Sequence, residues 1–297
     1  LNLGTRNGFE PYLTGATIKH LPREQLAKIE IHFPDLETQK KIASTLSHYD
    51  DLIQTNQQRI ALLEEAAQCL YDEWFVKLRF PNYQQVPVVD GVPEGWEKVT
   101  FADVCESVGG GTPSTKVNEY WENGDVSWVT PTDITRLSSL ILLDTEKKIT
   151  QKGLKESSTK MLPPDTILMT SRASIGYFGL IDRPVCTNQG FISIIPNNNA
   201  DRMFILFNLK NRLEEIDGLA TGSTFKELSR RVFRAMNITL PPEELRQSFS
   251  SFVQPLFEQM RTIAQQNQKL TQARDELLPR LMSGQLNVTK LTLTEIN

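Results

Sequence analysis

The chain repeats itself. Thr14-Gly15-Ala16-Thr17-Ile18-Lys19-His20-Leu21 returns 207 residues later as Thr221-Gly222-Ser223-Thr224-Phe225-Lys226-Glu227-Leu228. Extended without a gap to Pro34 and Pro241, the copies share Thr14, Gly15, Thr17, Lys19, Leu21, Arg23, Ile31 and Pro34 with their partners. Average composition gives roughly one or two chance identities over such a window. The segments are therefore two copies of one structural unit.

At the same offset the repeat continues as a pattern of apolar positions. Ile42, Leu46, Tyr49, Ile53, Asn56, Ile60, Leu63, Ala67, Leu70 and Trp74 step alternately by four and three. Their counterparts are Phe249, Val253, Leu256, Met260, Ile263, Asn267, Leu270, Arg274, Leu277 and Leu281. Both series are a/d seams of heptads. A span of roughly 40 residues makes a helix of about 60 Å. Pro34-Asp35 and Pro241-Pro242-Glu243 suit helix starts, and Ser283-Gly284 supplies a stop. Pro255, inside the second seam, predicts a kink or a division there. An a/d stripe alone in water is unstable. The simplest solution packs the two helices antiparallel, with Leu46, Ile53, Ile60 and Leu63 facing Leu256, Ile263, Leu270 and Leu277. Asn56 and Asn267 read either as buried seam residues that fix register or as a solvated seam edge.

The segment between the helices reads as mixed α/β. Residues 80–98, rich in Pro, Gly and Val, suggest a linker. Strand-like runs follow at 126–130, 166–170, 175–181, 191–195 and 237–240, separated by Gly, Pro and Asn clusters. Residues 201–216 predict one helix and 225–236 a shorter one. The fold class is thus α+β, a mixed α/β domain beside two long antiparallel coiled-coil helices. The expected boundaries are 1–33 (the tail of a first domain whose body is absent), 34–79 (first helix), 80–241 (complete domain), 242–284 (second helix) and 285–297 (tail).

Composition narrows the function classes. The chain has 297 residues, a formal charge of −4 and 39% hydrophobic residues. That suits a globular protein of about two domains. It contains no run of 18 consecutive apolar residues and no signal-peptide core, and its three cysteines are scattered. These features predict a cytoplasmic protein with reduced thiols. The first residue is Leu, which reads as a truncation point or a processing product. There is no GxxxxGK[ST], no HExxH and no CxxC, and His20, His32 and His48 lie apart. No catalytic residue, metal or cofactor is expected, and no methyl-donor site.

Local charge is more informative. Residues 147–183 carry a net +4 and residues 226–234 a net +3, whereas residues 35–79 carry −3. Positive charge favours phosphate contact. Polar loops lie beside these runs: Thr112 to Lys116, Thr130 to Asp133, Ser171-Arg172 and Asn188-Gln189. Arg, Asn and Gln have side chains whose geometry matches guanine and adenine edges. For Lys147-Lys148 a solvated face is the plainer reading.

At this point the sequence resembles the DNA-specificity subunits of type I restriction–modification systems. The resemblance rests on Val92-Pro93-Glu94-Gly95-Trp96, Gly110-Gly111-Thr112-Pro113-Ser114, Trp128 to Ile134, Thr187-Asn188-Gln189-Gly190, Thr221-Gly222-Ser223-Thr224 and Leu277 to Gly284. It implies two target-recognition domains held apart by two antiparallel spacer helices. Each domain reads half of a bipartite duplex site, and the helices dock methyltransferase subunits, in some assemblies joined by a restriction subunit. Here only one recognition domain is complete, so one chain reads at most one half-site. It is either a fragment or a half-subunit that pairs with a second copy on a symmetric site. A third reading is a structural coiled-coil module without DNA binding, which the basic runs disfavour. The DNA-facing residues so expected are Thr112, Ser114, Thr115, Lys116, Thr132, Ser171, Arg172, Asn188, Gln189, Ser223 and Lys226. Lys116 and Lys226 are the expected phosphate contacts.

Overall fold

A computed structural model describes residues 10–15, 18–29, 34–222 and 226–288. Two helices dominate it, Leu36–Tyr71 and Glu243–Met282. Contacts divide the chain into two units, residues 1–53 with 268–297, and residues 54–267. Each long helix contributes to both.

In the first unit the helix start is capped by Asp35, which accepts the Thr38 N–H and the Thr38 hydroxyl at 2.8 Å each. Ile42 and Leu281 are buried together with Val288, with Leu46 and Leu277 packed on them. Asp50 accepts from Arg274 at 2.7 Å. Low numbers on one helix meet high numbers on the other, so the helices run antiparallel here. Arg274 stands at a seam position that the heptad pattern fills with an apolar residue. Its guanidinium also bonds Asp275, and the two carboxylates hold its pKa above the usual value. Ile53 and Leu270 are only half-buried.

In the second unit Asn56 donates to Asn267 at 2.8 Å, and the Tyr71 and Trp74 rings meet Phe249 at 6.0 Å each. The helices are again antiparallel. Ile60 and Ile263 are both 3% exposed, and Leu63 and Leu256 pack against the same core. Asn56 is 8% exposed, which makes it a buried seam amide with a partner.

Pro255 does not divide its helix, contrary to expectation. It lies on the exposed face, and the carbonyl its missing N–H leaves unpaired belongs to Ser251, an exposed residue. Val253 and Phe257 on the opposite face stay buried. The first helix ends earlier than residue 79. After Tyr71 it widens into a π-helical turn over Asp72–Val76. There Trp74 is buried and Phe75 packs edge-on to Phe204 and Phe249. Residues 80–98 are not a free linker either. Phe80 is buried and stacks near Trp96 at 5.5 Å, and Val88–Val89 pairs with Val92–Pro93 as a hairpin.

Among the described residues between the helices lie nine further strands: β1 (Glu97–Thr100), β2 (Cys105–Gly109), β3 (Val126–Val129), β4 (Lys147–Ile149), β5 (Ile167–Thr170), β6 (Phe178–Leu180), β7 (Cys186–Thr187), β8 (Phe191–Pro196) and β9 (Asn237–Leu240). The main sheet has the order β2-β8-β5-β6, antiparallel throughout. A second sheet has the order β4-β3-β7, with β3 and β7 parallel, and β1 pairs with β9. β5 and β8 are apolar on both faces, apart from the buried Thr170 and Ser193, because both faces are covered. Ile167, Met169, Ile192 and Ile194 feed one core, while Leu168 and Phe191 feed another. The first core is closed by the helix Asp201–Lys210, whose Phe204 and Phe207 are fully buried.

The helix expected over 201–216 is broken at Asn211 and resumes as Leu213–Leu219. At the break Arg212 donates to the Asn237 carbonyl at 2.7 Å and to Asn208 at 3.2 Å. Two buried arginines brace the same region. Arg246 pairs with the buried Asp201. Arg202 pairs with Asp165 at 2.7 Å and donates to the Ile181 carbonyl, and burial pushes its pKa down to about 10. The expected helix over 225–236 is observed over Arg230–Ala235, with Ser229 as its N-cap.

Candidate nucleic-acid interface

The connections after β2, β3, β5 and β7 converge with the residues preceding Ser229. β3 ends in the sequence Thr130-Pro131-Thr132-Asp133. Thr130 and Asp133 form a reciprocal capping box, and Pro131 begins the short helix Pro131–Thr135. The Asn188 N–H donates to the Val129 carbonyl at 3.0 Å, which ties the 187–190 turn to that helix start. Within the turn Asn188 Oδ1 accepts the Gly190 N–H at 2.9 Å.

The glycine-rich connection after β2 lies against the same turn. The Gly111 N–H donates to the Thr187 carbonyl at 2.9 Å, and Trp128 Nε1 donates to the Gly111 carbonyl at 2.9 Å. A Cβ on Gly110 would lie 2.0 Å from the Asn188 carbonyl oxygen. Only glycine admits that approach. Thr112, the next side chain but one, donates its hydroxyl to Gln189 Oε1 at 2.6 Å.

A fourth segment completes the arrangement. The Ser171 N–H donates to the Gly190 carbonyl at 2.8 Å, and the Ser171 carbonyl accepts from Leu228 at 2.9 Å. The Ala173 N–H donates to the Lys226 carbonyl at 3.1 Å, and Arg172 pairs with Glu227 in an isolated bridge. Ala173 takes a φ of +63°, a conformation that alanine rarely adopts.

Together these segments form an open cleft of about 420 Å3. It is lined by Pro131, Thr132, Thr135, Arg172, Ala173, Ser174, Asn188, Gln189 and Gly190. Four of the residues singled out from sequence, Thr132, Arg172, Asn188 and Gln189, therefore share one wall-to-wall site. Thr112 adjoins it through Gln189, and Lys226 adjoins it through its backbone. Ser171 does not present its side chain. It is 2% exposed, so its part is the backbone bonds on either side of it, a correction to the expected contact role. Ser114, Thr115 and Lys116 are exposed but do not line the cleft. Ser223 lies outside the described residues. Thr135, Ser174 and Ala173 were missed, because nothing in their local sequence distinguishes them from ordinary turn residues.

The charge reading also changes. The +4 counted over 147–183 is offset by carboxylates outside that window. Asp144 meets Arg183 at 3.2 Å and Lys148 at 3.7 Å, and Glu119 pairs with Lys152. Lys226 is held by Asp217 at 2.8 Å. Among the described residues, Arg172, Lys147, Lys155 and Lys160 have no ion pair. With the exposed Lys116, Arg230, Arg231 and Arg234, they are among the cations left to meet phosphate or base. The thiol of Cys186, on β7 beside the turn, is buried and its pKa is raised to about 11, so it is no nucleophile.

Comparison with known proteins now adds to this geometry. Over residues 6–65 and 93–272 the chain matches the type I restriction modification DNA specificity domain. It is 36% identical over 180 residues to the type I restriction enzyme MjaIX specificity subunit of Methanocaldococcus jannaschii, covering 60% of this chain and 41% of that protein. It is 26% identical over 332 residues to the HindI specificity subunit of Haemophilus influenzae, covering 91% of this chain and 72% of that protein. The chain thus spans well under half the length of the first relative. Its fold resembles the crystal structure of a type I restriction–modification S subunit from M. genitalium, with a TM-score of 0.57 at 18% identity, over 93% of this chain and 69% of that one. No helix among the described residues is long and apolar enough to cross a membrane. With the family match extending over both the helices and the loops that build the cleft, the chain belongs to the type I restriction–modification DNA specificity family.

Proposed function

We propose that this chain is a non-catalytic specificity component that recognises duplex DNA through the cleft beside Arg172 and serves a methyltransferase partner bound along its long helices. The observation that carries the reading is the convergence. Thr132, Arg172, Asn188 and Gln189 come from three separate connections, yet they line one open cleft. Family membership supplies the ligand class. Phosphate contacts position a protein on DNA and base-edge contacts specify sequence, and the cleft offers the side chains for the second role. Lys147, Lys155 and Lys160, with Lys116 on its exposed loop, are candidates for the first.

The formal charge of −4 argues that the chain alone binds DNA weakly. Tight binding needs a partner that encloses the duplex. The test is a binding series with the methyltransferase partner present, comparing specific and scrambled duplexes across salt concentrations. Arg172→Ala is expected to lower affinity by about 1–3 kcal/mol and to relax specificity at one position. Lys116→Ala and Lys160→Ala are expected to weaken all sequences alike and to flatten the salt slope. Unaltered affinity, discrimination and salt slope in all three would remove the assignment. The mass of the assembly with and without the partner separates a single recognition chain from a pair reading a symmetric site. A restriction subunit, where present, would join that same assembly.

A further inference from the structure

The amide and guanidinium side chains of the cleft lean toward donation in their hydrogen-bonding chemistry. Asn188 shows this most clearly. Its Oδ1 accepts the Gly190 N–H. A backbone N–H can only donate, so the amide orientation is fixed, and the group left to meet a ligand is the Nδ2 amino group with its two donors. Gln189 is engaged in the same sense, its Oε1 accepting the Thr112 hydroxyl and its Nε2 remaining as donor. Arg172 adds a guanidinium, which has five donors and no acceptor, and it carries no ion pair among the described residues.

The hydroxyls of Thr132, Thr135 and Ser174 in the lining can donate or accept, and the nearby carboxylate is already used. Asp133, on the capping-box turn, accepts the Thr130 N–H and hydroxyl on Oδ2 at 2.7 and 2.6 Å. Its Oδ1 accepts the Glu146 N–H at 2.9 Å. Among the described residues no carboxylate lines the cleft.

Base edges sort by the same property. In the major groove guanine presents two acceptors, O6 and N7, whereas adenine pairs N7 with an N6 amino donor. An Asn or Gln reads adenine bidentately only if its carbonyl oxygen is available for that amino group. Here each amide oxygen already accepts one bond from within the protein, so the wholly unengaged groups are the two amino groups and the guanidinium. We infer that, on the DNA-reading role proposed above, Arg172, Asn188 and Gln189 read as hydrogen-bond donors, and that the half-site served by this cleft carries guanine rather than adenine opposite them.

The experiment uses the full chain assembled with its methyltransferase partner. Selection from randomised duplexes first yields the recognised sequence. Each guanine of the half-site is then replaced by 7-deazaguanine, which lacks the N7 acceptor. Each adenine is separately replaced by unsubstituted purine, which lacks the N6 amino group. At the positions read by the cleft, 7-deazaguanine is expected to weaken binding by about 10-fold. Purine replacement of the half-site adenines is expected to leave the cleft's contribution to affinity unchanged. Asn188→Asp keeps an oxygen for the Gly190 N–H but turns the free donor into an acceptor. Selection with that variant is expected to move the preference at one position from guanine toward cytosine, whose N4 amino group donates. A half-site in which purine replacement weakens binding while 7-deazaguanine is silent would overturn the inference, and so would Asn188→Asp selecting the same sequence as the parent. Selection of no sequence by the parent assembly would sink the DNA-reading assignment itself, and this inference with it.

Discussion

The helix seam and the cleft are built from opposite materials. Along the seam, Ile60, Ala67, Val253, Met260 and Ile263 bury apolar side chains, and the seam amides Asn56 and Asn267 bond each other. At the cleft, backbone bonds do the joining, from Gly111 to Thr187, Asn188 to Val129, Ser171 to Gly190 and Ala173 to Lys226. The side chains left over there are polar and outward. Free energy of folding therefore resides in the seam and in the core beneath it. The cleft's exposed side chains contribute little to folding, which frees them to vary with the ligand. If this division holds, substitutions in the first region should move stability, and substitutions in the second should move binding alone.

The largest expected effect is at the buried ion pair under the domain. Arg246→Ala leaves Asp201 buried without its partner, and removing one member of such a pair costs about 3–5 kcal/mol. Denaturant unfolding of the full chain would measure it, with the midpoint falling at constant slope. Ile60→Ala should come close behind. Deleting a buried Ile side chain costs about 2–5 kcal/mol, and Ile60 is 3% exposed. Leu270→Ala and Ile53→Ala should cost less than Ile60→Ala, because both residues are half-buried. Equal effects at all three sites would mean that burial does not set the seam's energetics.

The asparagine pair sharpens the comparison. Asn56→Leu alone removes the Asn56–Asn267 hydrogen bond, at about 0.5–1.5 kcal/mol. Changing both to Leu is expected to recover that loss, so a double-mutant cycle should show a coupling of the same order. Additive losses would show that the hydrogen bond between the two amides is not what holds them in place.

Much of the seam was legible because a period survives any tertiary context. Residues four and three apart share a helix face wherever the helix goes, and every residue of both heptad series is at least partly buried. Pro255 was misread because the periodicity gives its face but not the solvent that satisfies the Ser251 carbonyl. The cleft was legible only as separate loops. Thr132, Arg172 and Asn188 could be chosen by residue type, but their meeting depends on β3 pairing with β7 and on a bridge between Arg172 and Glu227. Sequence spacing does not encode such long-range pairings. Charge was overread for a related reason, since Asp144 and Glu119 fold back onto a run that was counted without them.

A smaller effect concerns pH. Asp103 caps the turn after β1, and its bonds from the Thr100 hydroxyl and N–H hold its pKa below the usual carboxylate value of 3.8. A depressed carboxylate stabilises the fold fully above its unfolded pKa and loses that contribution as pH falls through the folded one. Asp103→Asn should therefore reduce stability slightly at neutral pH and narrow its gap from the parent as pH drops below about 4. A gap that widens on acidification would contradict the cap.

The central claim is that the cleft reads DNA without holding the fold together. Arg172→Ala tests it directly, as an exposed residue with no ion pair among the described residues. Unfolding of the variant and its binding to specific duplex, in assembly with the methyltransferase partner, should be measured on the same preparation. The expected result is an unchanged unfolding midpoint with a loss of about 1–3 kcal/mol in specific binding. A lowered midpoint with intact DNA discrimination would contradict the account.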